Sequence, residues 1–140
     1  MTALDTNVLV RFLVRDHEAQ FERARRLIKR EVGAQEKVLI SLLVLLETEW
    51  VLRSVYGYGA SQLVKALRAF AGLPHVTTED AGLMAQALDW MEGGMDFADA
   101  LHLVGAQGCD AFVSFDRRFA RLANRLSAVK GLPAFLGSSR

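Results

Sequence analysis

The sequence predicts an α/β fold: three α/β/α layers, with a central, mainly parallel sheet and helices on both faces. Three observations lead there. Short β-prone runs, with Ala111–Ser114 the clearest, alternate with longer stretches whose apolar residues recur at helical spacing. Gly and Pro mark the breaks, at Gly57, Gly59, Gly72, Pro74, Gly93, Gly94 and Gly108. Apolar residues make up 51% of 140 positions, enough for one core, so residues 1–140 read as a single domain. No internal repeat, low-complexity tract or linker divides them. Alternating strands and helices give a parallel sheet, and such sheets place ligands at the carboxyl ends of their strands.

Each element has a local reason. Thr2–Leu4 is a short strand. Asp5 or Thr6 caps a helix to about Arg15 that puts Val8, Leu9, Phe12 and Leu13 on one face. Glu18 to about Glu31 carries Phe21, Ala24, Leu27 and Ile28 at helical spacing. Val38–Ile40 is a strand, and Ser41 caps a helix through Val55 that Gly57 and Gly59 end. Ser61–Phe70 is an amphipathic helix closed by Gly72 and Pro74, and His75–Thr77 is a possible strand. Glu79–Met91 is helical and stops at Gly93-Gly94. Asp96 caps a helix to about Gln107. Ala111–Ser114 is a strand, Phe119–Leu126 a helix, and Pro133–Leu136 a candidate last strand.

Composition excludes little by itself. Seventeen basic residues nearly balance sixteen acidic ones, so net charge gives no nucleic-acid signal. Placement says more. Arg23, Arg25, Arg26, Lys29 and Arg30 read as a solvated helix face. Arg117, Arg118, Arg121 and Arg125 begin directly after Asp116 and suit contact with substrate phosphate. The lone Cys109 permits no intrachain disulfide, suits a reducing cytosol and reads as a small core residue. Asp5 interrupts any early apolar run, so no signal peptide is expected. The longest apolar stretch, Val38–Leu46, is too short to span a bilayer. A cytoplasmic protein without membrane contact is expected.

Four acids stand at the edges of apolar segments: Asp5, Glu47, Asp99 and Asp116. An ionised carboxylate in such a setting is disfavoured unless it is paired or binds metal. Asp5 and Asp116 fall at strand ends, Asp99 in the first turn of a helix, and Glu47 two turns into another. The topology lets all four reach one crevice. Two unit charges about 4 Å apart repel by roughly 4 kcal/mol at an effective dielectric near 20. Without metal, one of the four should hold a proton near neutral pH. Mg2+ or Mn2+, which prefer oxygen ligands, would relieve that strain. One or two such ions activate water and stabilise a leaving oxygen, so hydrolysis of a nucleic-acid backbone is the expected reaction.

The same residues carry a family resemblance. Asp5-Thr6-Asn7-Val8-Leu9-Val10-Arg11 resembles the opening motif of PIN-domain nucleases, and Leu45-Leu46-Glu47-Thr48-Glu49-Trp50-Val51-Leu52 their second. Asp96-Phe97-Ala98-Asp99-Ala100-Leu101 resembles the third motif and Ser114-Phe115-Asp116-Arg117-Arg118-Phe119 the fourth. In order, spacing and chain length the sequence is most similar to the VapC-type toxins of toxin–antitoxin pairs. The resemblance implies a Mg2+- or Mn2+-dependent endoribonuclease acting on RNA, a homodimer, and a small cognate antitoxin. By motif position it implies Asp5, Glu47, Asp99 and Asp116 as the acidic set, with Asn7 and Ser114 in support. Glu49 competes with Glu47 for the second position and Asp96, otherwise supporting, competes with Asp99 for the third. Arg11 is a candidate contact for phosphate or an antitoxin carboxylate, as are Arg117 and Arg118.

Rival readings remain. An aspartyl phosphotransfer domain would want a lysine by the acids, and none of Lys29, Lys37, Lys65 and Lys130 lies in an acidic motif. A non-catalytic RNA- or protein-binding module gains nothing from stacked negative charge. A housekeeping PIN-type RNA-processing nuclease is the nearest alternative. One helix face (Leu42, Leu45, Glu49, Leu52, Val55, Tyr56) is apolar enough to suggest a protein contact. His102 is a weak candidate ligand, one turn after Asp99.

Overall fold

The computed structural model describes residues 1–14, 18–33 and 37–133. Arg15, His17 and residues 134–136 of the expected last strand lie outside them. The chain divides into two compact units, Met1–Met84 and Ala85–Arg140.

In the first unit, β1 (Thr2–Ala3), β2 (Val38–Ile40) and β3 (Val76–Thr78) form a parallel sheet in that order. The middle strand is the most buried, with Val38 and Ile40 fully enclosed. Helices α1 (Thr6–Val14), α2 (Glu18–Gly33), α3 (Leu42–Ser54) and α4 (Ala60–Ala71) supply the rest of the core through Leu9, Ile28, Leu45, Leu52, Leu63 and Leu67. Phe12 stacks on Phe21 at 5.8 Å and meets Phe70 edge-on at 5.4 Å, which joins α1, α2 and α4. Ser41 caps α3 as expected, accepting from the Val44 amide at 3.1 Å. Glu79 adds a second, non-local cap: its carboxylate accepts from the Leu42 amide at 2.8 Å. Glu79 therefore stands outside the next helix. Asp80 accepts from the Leu83 amide at 3.0 Å, and α5 (Ala81–Glu92) starts two residues later than the sequence suggests.

In the second unit, β4 (Ala111–Ser114) and β5 (Lys130–Pro133) pair in parallel, with Ala111 opposite Lys130. β5 lies earlier than the expected strand because Asn124 fixes it from α7 (Arg117–Leu126). The Asn124 side chain accepts from the Gly131 amide at 3.0 Å and donates to the Gly131 carbonyl at 3.1 Å. A Cβ on Gly131 would sit 2.6 Å from the Ala120 carbonyl, so α7 lies directly on the strand. Phe119, Ala120 and Ala123 form the buried face of α7. Helix α6 (Phe97–Gly105) adds Phe97, Ala100, Leu103 and Val104 to this core. Every described strand pairing is parallel, in keeping with the α/β expectation.

Burial corrects one expectation and qualifies another. Cys109 is exposed, because it sits in the turn after α6 and beyond its apolar face. The α3 face proposed for a protein contact is divided: Leu45, Glu49 and Leu52 are 2% exposed or less within their own unit, Leu42 and Tyr56 are half-buried, and Val55 is exposed. The apolar residues that α3 does present are Leu43, Trp50 at 56% exposure, and Val55 just past its end. Trp90, by contrast, is buried. Among the described residues no helix is long and apolar enough to cross a membrane.

Candidate active site

The acids fall into two sets, one in each unit. In the first, Asp5 follows β1 and begins α1. Its backbone carbonyl accepts from the Val8 and Leu9 amides at 3.1 and 3.2 Å. Its side chain is exposed and makes no hydrogen bond or ion pair among the described residues. The next residue, Thr6, is buried and donates through Oγ1 to Glu47 Oε2 at 3.4 Å. That contact spans 41 residues and brings the head of α1 beside Glu47 on α3. Glu49 faces elsewhere. It is 1% exposed, and Arg53 Nε donates to its carboxylate at 2.8 Å. Thr48 between them is fully buried, with no hydrogen-bond partner for its hydroxyl among the described residues.

Asn7 and Arg11 line a cleft of about 350 Å³ between α1 and α2, with Gln20, Arg23 and Leu27 opposite. Arg11 Nη1 donates to the Tyr56 hydroxyl at 3.2 Å. Arg23 is exposed, as a solvated helix face requires, and also lines this cleft.

In the second unit, Asp96 and Asp116 each cap a helix. Asp96 Oδ1 accepts from the Ala98 and Asp99 amides at 2.9 and 3.3 Å at the head of α6. Asp116 Oδ1 accepts from the Arg118 and Phe119 amides at 2.9 and 3.1 Å at the head of α7. This cap is why α7 starts at Arg117, two residues before the expected Phe119. Ser114 Oγ accepts from the Asp116 amide at 3.1 Å and tightens the turn from β4.

Asp99 lies in the first turn of α6, and its carboxyl is pushed above the usual aspartate range. Burial is the main cause, followed by the charges of Asp96 and Asp116; His102 acts weakly the other way. Asp96, Asp99 and Asp116 are thus electrostatic neighbours. The exposed His102 ring lies 6.4 Å from the Phe112 ring. Among the described residues no three His, Cys, Asp or Glu side chains gather as a metal site requires. The donor chemistry still suits a hard cation, since the set is all carboxylate and Asp99 is a half-buried acid beside two others.

The PIN-domain family model matches residues 2–125, through both units and all four acidic motifs. The chain belongs to the PIN-domain family of nucleases. VapC20 of Mycobacterium tuberculosis, described as a toxin that cleaves the sarcin–ricin loop, is similar in structure: TM-score 0.41 and 22% identity, over 92% of this chain and 98% of that one. No curated protein sequence matches the chain.

Proposed function

We propose that residues 1–140 act as a single PIN nuclease domain that hydrolyses RNA phosphodiester bonds, as a Mg2+- or Mn2+-dependent endoribonuclease. It serves as the toxin of a toxin–antitoxin pair. One observation carries this reading: the PIN match runs from residue 2 to 125 and so spans Asp5, Glu47, Asp99 and Asp116, the four acids read from the sequence. The motif spacing, similar to that of VapC-type toxins, supports the toxin role.

Asp5, Glu47, Asp99 and Asp116 would hold the cation, with Asn7, Asp96 and Ser114 in support. A bound cation supplies an activated water and charge for the leaving oxygen. The protein's own groups do the rest. Two amides and the Ser114 hydroxyl hold Asp116 in one pose. Thr6 orients Glu47 beside the Asp5 turn. Burial and the charges of Asp96 and Asp116 push Asp99 toward its protonated form, and a bound cation would oppose that push. Glu49 is committed to Arg53, which favours Glu47 for the second position.

The partners of this reading are an RNA substrate, a small cognate antitoxin and a second copy of the chain, in the cytoplasm. Arg11, Arg117 and Arg118 contact substrate or antitoxin. The test is RNA cleavage by the purified protein with Mg2+, with Mn2+ and with chelator, beside Asp5→Asn. Cleavage only with metal, lost in the variant, is expected. Millimolar metal should also raise the melting midpoint, since the cation binds the folded chain and not the unfolded one. Metal-independent cleavage with an unchanged midpoint would sink the proposal. A monomer that cleaves RNA but is harmless when expressed without a partner would leave an RNA-processing nuclease in place of the toxin.

A further inference from the structure

We infer that the exposed face of α7, with the Gly93–Gly94 turn, is a track for the backbone of single-stranded RNA, gripping phosphates beyond the one being cleaved. This deepens the ribonuclease reading and rests on it.

A groove of about 410 Å³ runs along α7, lined by Gly93, Gly94, Arg118, Arg121, Leu122 and Arg125. Half of its lining residues are arginines, and none is acidic. Positions 118, 121 and 125 are three and four apart, so they share one helix face. The helical rise separates them by about 4.5 and 6 Å along the axis. Two of the three are tethered. Arg118 Nη2 donates to the Gly94 carbonyl at 3.4 Å and Arg125 Nη2 to the Gly93 carbonyl at 2.8 Å. A guanidinium has five N–H donors, so one tether fixes its place and leaves others for a ligand. Arg121, between them, makes no hydrogen bond or ion pair among the described residues.

Among the described residues the charge on this face is not cancelled. Arg25 pairs with Glu22 and Arg53 with Glu49. Helix α7 has four arginines and no acid, and its tethers end on neutral carbonyls. Like charges at this spacing destabilise a helix, so the pattern is better explained by an outside anion. A chain of phosphates fits guanidiniums placed on successive turns, and Leu122 offers apolar contact to a ribose or base.

Both walls lead to the acids of this unit. Asp116 is the cap of α7, two residues before Arg118, and Asp96 follows Gly94 by two. A strand held on α7 is thereby fed toward Asp116 and Asp99. An acidic protein segment would match the charge but has no reason to meet carboxylates at one end of its groove. RNA bound for cleavage does.

The test uses the full chain with chelator, a labelled 12-nucleotide RNA and a salt titration. The variants are R118Q/R121Q/R125Q and R121Q, with R25Q/R26Q/K29Q as a control of equal charge loss. The triple variant should bind about tenfold or more weakly at low salt, and its slope of log affinity against log salt should be shallower by about 2. R121Q, which breaks no internal bond, should shift the slope by about 0.7 even if the triple variant folds poorly. The control should match wild type. With metal, R121Q, which leaves Arg118 in place, should raise KM on the 12-mer without a fall in kcat, while a trinucleotide too short to span the track is cut as before. Unchanged slopes in both α7 variants, with RNA still cut normally, overturn the track and keep the ribonuclease. Loss of an acidic antitoxin with RNA binding intact overturns it in favour of a protein partner. Loss of RNA binding in the variants, when wild type binds RNA but cuts none, supports the track and removes the ribonuclease.

Discussion

Asp116 has two roles that a pair of substitutions can separate. As a cap, its Oδ1 takes two amides at 2.9 and 3.1 Å. As an acid, it contributes negative charge to the environment of Asp99. In Asp116→Asn the amide oxygen can accept both bonds, and only the interaction of the charge with the helix dipole is lost, about 0.3–1 kcal/mol. Asp116→Ala leaves both amides to water, which costs roughly 1–2 kcal/mol at an N-cap. Both variants also relieve Asp99 of one neighbouring charge, so this gain cancels between them. The readable quantity is the difference, about 1 kcal/mol, or a midpoint about 3–4 °C lower for Ala in a chain of this size. Activity should not follow stability. Changes beside a metal ligand cost about 10- to 100-fold, so loss of a ligand charge should exceed that in both variants. The assays are thermal melts and metal-dependent RNA cleavage. Wild-type cleavage by the Asn variant would refute the reasoning, since it would make Asp116 a cap and nothing more.

Three further outcomes are expected. The folded protein holds the Asp99 proton more tightly than the unfolded chain does. Its contribution to stability therefore falls as pH rises from 3.8 through the folded value, and at pH 7 the ionised group is a net cost. In chelator, Asp99→Asn should melt higher than wild type at pH 7 and by a smaller margin near pH 4, while losing cleavage; a margin independent of pH would contradict the assignment. Glu47→Gln should stay within about 0.5 kcal/mol of wild type and lose cleavage, because Glu47 is exposed and holds one long bond from Thr6. Arg53→Ala strands the buried Glu49 carboxylate and should cost toward the low end of the roughly 3–5 kcal/mol seen for broken buried pairs, since Arg53 itself is 45% exposed. Cleavage retained in Glu47→Gln but lost in a well-folded Glu49→Gln would exchange the two roles.

The elements legible in sequence are those governed by short-range physics. β2 and β4 occupy the expected runs, and Ser41, Asp96 and Asp116 cap helices within three residues of themselves. What escaped is long-range. Nothing near Thr6 announces a bond to Glu47, and nothing near Glu79 announces a cap on a helix 37 residues back. The apolar face of α3 was visible, but whether it met its own core or another protein depends on α1 and α4 covering it. Glu49 and Arg53 are four apart, yet burial of the pair follows from packing and not from spacing.

The second unit also shows why its acids were recognisable at all. A carboxylate at a helix head is held in one rotamer by two amides, and a ligand held that way needs little ordering when a cation or phosphate arrives. Asp96 and Asp116 both have this arrangement, and Asp99 lies within reach of both charges. Capping concentrates negative charge where the two helices begin. Helix α7 then places uncancelled arginines along its length, starting two residues from the carboxylate. Under the proposed function, acid at the head and base along the body would give one helix two distinct affinities, for a cation at its end and for a polyanion along its side. A polyanion drawn by the arginines must approach carboxylates that repel it, and a cation held by those carboxylates would offset that repulsion. On this reading metal and RNA should bind cooperatively, each raising the affinity for the other by the same factor.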